Sequence, residues 1–155
     1  MRIAFCPTAH GFGHTSRQLA LAKRLLQQGH TIHFFSHIPK FVDNYAPEIQ
    51  TTFAIFDVGL VQPNPVVIDI PKTIEQLNTI CSEDQIDVVA NKLGSFDLVI
   101  ADIPPLVLEA CYRANIPCIA ISNFDWAWVY SHFTELKLWS DLYSEWQSNH
   151  GALHI

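Results

Sequence analysis

No run of about 18 apolar residues occurs in the 155-residue sequence, so it offers no candidate membrane-spanning helix. Basic residues are scarce as well. Nine Lys and Arg stand against fifteen Asp and Glu, the net charge is −6, and no basic cluster exceeds Lys23–Arg24. Binding to nucleic acid or to an anionic membrane draws on a patch of such cations, so neither is expected as a partner. One arginine and then a short strand open the chain, too little for the apolar core of a signal peptide. The four cysteines, Cys6, Cys81, Cys111 and Cys118, form no C-x-x-C pair and read as buried thiols of a cytoplasmic protein. Internal repeats and low-complexity tracts are absent.

What the sequence does have is apolar surface: 49% of its residues are hydrophobic and 15% charged, the balance of a folded globular chain. Its length suits a single domain spanning 1–155. A short apolar strand, Ile3 to Cys6, leads into HGFGHTSR, and a helix is predicted from about Thr15 to residue 28, ended by Gly29. TIHFFS (31–36) reads as a second strand, 39–46 as a short Pro-initiated helix, and 51–56 as a third strand. Residues 57–71, with Gly59, Pro63, Pro65 and Pro71, read as a long surface excursion of the functional or disordered kind. One long helix is predicted from Lys72 to about Leu93, followed by a nearly continuous apolar strand, FDLVIA (96–101). Asp102 follows it directly, Pro104 and Pro105 open a helix, and PCIAI (117–121) makes a fifth strand. A last helix over 134–148 carries Trp139, Leu142, Tyr143 and Trp146 on one stripe, either as core or as a docking face.

Strands alternating with helices predict an α/β fold, a Rossmann-like doubly wound parallel sheet of about five strands in order 3-2-1-4-5, three layers deep. In that order the first and fourth strands are neighbours whose chains leave in opposite directions, and ligands bind above such a switch point. HGFGHTSR lies past one strand end and Asp102 past the other. Gly11 and Gly13 let the backbone turn and a ligand come close. His14 and Asp102 are thereby expected within hydrogen-bond reach. A carboxylate that accepts from one imidazole nitrogen leaves the other free to take a proton from a hydroxyl. Taken alone, a histidine at a helix start is more often a cap partner, and an aspartate at a strand end a helix cap. Arg17 suits an anionic group or a surface ion pair equally; His10 has the weaker claim and reads as packed or solvent-facing.

Other sites lack their residues. No Lys follows the glycines as a P-loop needs, Ser16 stands where a dinucleotide fingerprint has its third glycine, and Ser36 and His37 replace its acid. The glycines between His10 and His14 leave no fixed spacing for a metal, so no metal or other cofactor is expected. After the fifth strand, SNFDWAWVY brings Phe124, Trp126, Trp128 and Tyr130 near the crevice, at least two of them expected as plugs on the sheet. Asn123 and Asp125 are the candidate polar ligand contacts in that stretch.

GFGHTSR after a strand, then a helix and GHTIHFFS, resembles the N-terminal half of GT-B glycosyltransferases. HGFGHTSR with the later SNFDWAWVY is most similar to the glycosyltransferase-like segment of plant arabinokinases and related bacterial proteins, over Met1 to about Tyr130. The resemblance implies that His14 is the base or acceptor-orienting residue and that Asp102 completes its dyad. It also implies that this domain binds a small-molecule sugar or other hydroxyl acceptor. A nucleotide sugar, as co-substrate, would then sit on a separate C-terminal donor domain. No such segment follows within the sequence, so turnover is expected to require a donor-domain partner. The alternatives are a non-catalytic sugar or nucleotide-sugar binding module, a fragment that acts only with a partner chain, and a protein-interaction remnant that docks through the Trp139–Trp146 stripe, with a homodimer as one outcome.

Overall fold

The computed structural model describes residues 1–150. Five parallel strands, β1 (Arg2–Pro7), β2 (Thr31–Ser36), β3 (Gln50–Phe53), β4 (Leu98–Asp102) and β5 (Cys118–Ile121), form one sheet in the order β3-β2-β1-β4-β5. The predicted order is the observed one, because right-handed crossovers leave few others. β1 and β4 run side by side with Cys6 opposite Ala101 and Pro7 opposite Asp102. The apolar runs IAFC and VIA are buried in those two central strands, as expected of strands covered on both faces.

Helices α1 (Phe12–Gln27) and α2 (Pro39–Tyr45) cover one face, where Leu19, Ala22 and Val42 meet Phe5, Ile32 and Phe34. The other face carries α3 (Ile70–Ile80), α4 (Glu83–Leu93), α5 (Pro105–Arg113), α6 (Trp126–Tyr130) and α7 (Lys137–His150) over the larger core. Three layers result. Trp139, Tyr143 and Trp146 of α7 are buried in that core, so the stripe is packing surface and the docking-face reading falls. All four cysteines are unpaired, Cys6 and Cys111 buried and Cys81 and Cys118 half-buried.

β3 ends at Phe53, short of the expected Phe56, a helix, α6, forms within SNFDWAWVY, and three further elements depart from expectation. α1 starts at Phe12, three residues before Thr15, because Gly11 (φ +83°) makes the turn and Gly13 falls in a first turn whose N–H groups have no helical partner anyway. The single helix predicted over 72–93 is two. Ser82 accepts from the Gln85 N–H, and Glu83 and Asp84 favour a new helix N-terminus there. The excursion after β3 is tied down at its start: Asp57 accepts from the Ala9 N–H (3.1 Å) and from Trp126 Nε1–H (2.9 Å), and the Tyr130 hydroxyl donates to the Gly59 carbonyl (2.8 Å).

Candidate functional site

Above the carboxyl ends of β1 and β4 the first turn of α1 faces the last residue of β4. His14 is the third helical residue, with Arg17 and Gln18 one turn on, so all three side chains share a face. That face points at Asp102, whose side chain is fully buried. His14 Nδ1 lies 3.0 Å from Asp102 Oδ1, the meeting that the topology argument requires. Arg17 Nη2 donates to both carboxylate oxygens, at 2.7 and 2.8 Å, and Gln18 Nε2 donates to Oδ2 at 2.9 Å. Gln18 was not anticipated; its position four residues after His14 was the available signal.

Burial by itself raises Asp102, the largest single influence on it, yet the hydrogen bonds from His14, Arg17 and Gln18 together hold it below the usual carboxylate range. An ionised Oδ1 at 3.0 Å requires a proton on His14 Nδ1, which leaves Nε2 with the free lone pair. Arg17 Nη2 also comes within 3.1 Å of Nδ1, but both are then donors and no bond joins them. Phe124 packs edge-on to the imidazole, centroids 5.9 Å apart, and fixes the ring plane from the β5 side.

The strand end is strained where it leaves Asp102. Ile103 takes φ +84°, a conformation that β-branched residues rarely adopt, and its side chain is buried. The Thr8 N–H donates to the Asp102 carbonyl (2.9 Å) and the Ile103 N–H to the Ile121 carbonyl (3.2 Å), which pins the turn between β1 and β5.

The remaining expected residues are placed as follows. Gly11 and Gly13 are exposed, and nothing lies within 4 Å of where a Cβ would stand on either, so the space over the helix start is open. Asn123 is exposed; Asp125 accepts from the Trp128 N–H at 2.7 Å as the cap of α6, which leaves its second oxygen for other partners. Trp126 and Tyr130 are the buried plugs, Phe124 is half-buried and Trp128 exposed. His10 is half-buried and packed, apart from the dyad: its Nε2 donates to the Val58 carbonyl (2.8 Å), its ring meets Trp126 edge-on and it lies against Gly59. Among the described residues no three His, Cys, Asp or Glu side chains gather as a metal centre, and no helix is long and apolar enough to cross a membrane.

No protein-family profile matches the chain. Over 138 residues it is 24% identical to L-arabinokinase of Arabidopsis thaliana, covering 84% of this chain and 13% of that one. Among solved structures it resembles CalG4, the calicheamicin glycosyltransferase, with TM-score 0.52 and 20% identity over 99% of this chain and 38% of the other. It also resembles the glycosyltransferase VinC, solved with dTDP, with TM-score 0.53 and 17% identity over 98% of this chain and 45% of the other. The chain thus spans about an eighth of the curated relative and under half of each of these two structures. At such identities the likeness establishes the fold, which is that of GT-B glycosyltransferase structures.

Proposed function

We propose that this chain is the acceptor-binding half of a GT-B-type glycosyltransferase, transferring a sugar from a nucleotide sugar to a hydroxyl of a small-molecule acceptor. The observation that carries the reading is the His14–Asp102 hydrogen bond over the strand ends, with Nε2 turned away from the carboxylate. In this mechanism an acceptor hydroxyl lies against His14 Nε2, over the open backbone at Gly11 and Gly13. As its oxygen attacks the anomeric carbon and the nucleoside diphosphate leaves, Nε2 takes the hydroxyl proton. Asp102 holds the ring in the productive tautomer and stabilises the imidazolium that forms. Arg17 supplies a cation for an anionic group of a substrate, with Asn123 and the second oxygen of Asp125 as further polar contacts. A cavity of about 390 Å³ beside the same helix start, lined by Phe12, Ile38, Pro39 and Phe41, suits an apolar portion of the acceptor. The nucleotide sugar belongs to a second, donor-binding domain, in the same polypeptide or a partner chain.

The test is His14→Ala in the protein complemented with a donor domain. Sugar transfer is expected to fall by about 10²–10⁴-fold with acceptor affinity retained; unchanged transfer removes the proposed base. A second reading is a non-catalytic sugar-binding module. Binding of free sugars without turnover, donor domain supplied, would select it.

A further inference from the structure

Asp102 is shared unevenly. Oδ1 receives His14 and Arg17, and Oδ2 receives Arg17 and Gln18. Arg17 spends one nitrogen on both oxygens; its Nε and Nη1 bond nothing among the described residues, and its side chain is 44% exposed. The other two donors hold on different terms. Gln18 is 1% exposed and His14 is confined between Asp102 and Phe124, so each oxygen keeps one fixed donor if Arg17 leaves. With Arg17 in place, the carboxylate behind His14 is already neutralised, and a guanidinium nitrogen stands 3.1 Å from the nitrogen that would share the new positive charge. Coulomb attraction to an imidazolium is then largely cancelled. With Arg17 withdrawn, the full carboxylate charge faces His14.

We propose that Arg17 is an anion-operated latch on the dyad: a phosphate or carboxylate group of an incoming substrate draws its guanidinium off Asp102 and so frees the carboxylate to support proton uptake by His14. The inference rests on the reading of His14 as the base, and it ties activation of that base to the arrival of a charged substrate. The fork geometry of arginine suits both kinds of anion, and when Arg17 leaves, Asp102 keeps the hydrogen bonds of its two fixed donors while its buried charge is left for the proton that His14 takes up to balance.

Competition between Asp102 and an external anion for one guanidinium has a signature that needs no turnover. Binding of inorganic pyrophosphate, and separately of D-glucuronate, is measured by calorimetry or NMR on the unmodified chain and its variants at one pH. Binding of pyrophosphate alone assigns the latch to a phosphate group, and binding of glucuronate alone to an acceptor carboxylate. Arg17→Met is expected to weaken the bound anion by at least about 10-fold. Asp102→Asn is expected to tighten it by about 3- to 10-fold, and to have no such effect in the Arg17→Met background. Should the Asp102 variant not fold, the His14 Nδ1–H proton of the unmodified chain is followed instead; it moves downfield on saturation as the competing donor leaves Oδ1. The proposal is overturned if neither anion binds up to about 10 mM, if Arg17→Met binds as well as the parent, if the gain in Asp102→Asn persists without Arg17, or if the His14 proton does not move. Loss of the latch would leave the base intact, whereas unchanged sugar transfer in His14→Ala would remove the base and leave the Arg17–Asp102 competition standing.

Discussion

Gly59 shows how a single missing atom holds the crevice wall. Its φ of +66° already favours glycine, and a Cβ there would stand 2.3 Å from two atoms of the His10 ring. His10 in turn donates to the Val58 carbonyl and meets Trp126, whose indole N–H satisfies Asp57. Gly59→Ala is expected to cost about 3 kcal/mol in denaturant unfolding, from steric overlap plus backbone strain. In a His10→Ala background the same change should cost only about 1 kcal/mol, since the overlap is gone and the strain remains. Equal costs in the two backgrounds would show that the ring is not what excludes the side chain. None of this contact was legible beforehand. His10 and Gly59 are 49 positions apart, and nothing in either local pattern says that one packs on the other. His14 and Asp102 are farther apart still, yet they were legible, because one opens the helix that follows β1 and the other ends β4, and the connection rules set those two strands side by side.

At the scale of elements, the break between α3 and α4 shows which signal prevails. The spacing of Ile74, Leu77, Ile80 or Cys81, and Val88 fits one face of a single helix over 72–93, and the structure does not keep that face. Ser82 with Gln85 three residues on is a capping signature, however, and the two acids between them favour a helix start. The new helix turns a different face inward, burying Ile86, Val89 and Leu93 and leaving Val88 exposed, so the period carried across the junction misreports both the interruption and the buried face of α4, and the cap reports the interruption. Ser82→Ala should therefore cost about 1 kcal/mol, and Ser82→Gly a few tenths, with the loss of amide exchange protection concentrated in residues 83–86. Equal losses for both substitutions would mean that the Ser82 hydroxyl does not cap α4. The start of α1 was misplaced for a related reason. Two glycines in HGFGH read as a tight turn, but Gly11 alone makes the turn, and Gly13 lies in the first helical turn, where the glycine penalty of a helix interior is not felt. The correction matters for the site, since it sets His14, Arg17 and Gln18 on one rigid face instead of hanging the first of them from a loop.

For the whole molecule, Asp102, His33 and His37 predict a loss of stability on acidification. Asp102 is held below the usual carboxylate range, so its contribution to stability is complete above the unfolded value near 3.9 and disappears as pH falls through the lower folded value. His33 on β2 and His37 just past it are pushed down chiefly by burial. Their unfolded forms take protons first as pH drops below about 6.5, so they too favour the folded chain at higher pH and weaken it on acidification. These groups act in the same direction; His150, pushed up by Cys118 beside it, acts the other way, but its gain is complete by about pH 6.5 and does not offset the losses below it. The melting temperature should fall in two stages, one beginning below about pH 6.5 and a second below about pH 4. His33 stacks on Phe35 with centroids 4.5 Å apart, and His33→Phe keeps that packing while removing the proton, so it should flatten the first stage and leave the second. Asp102→Asn should do the reverse, lowering stability near neutrality and diminishing the second stage. A melting temperature that stays level from pH 7.5 to 5, or a first stage unchanged in His33→Phe, would show that burial of these imidazoles is not what couples the sheet to acid.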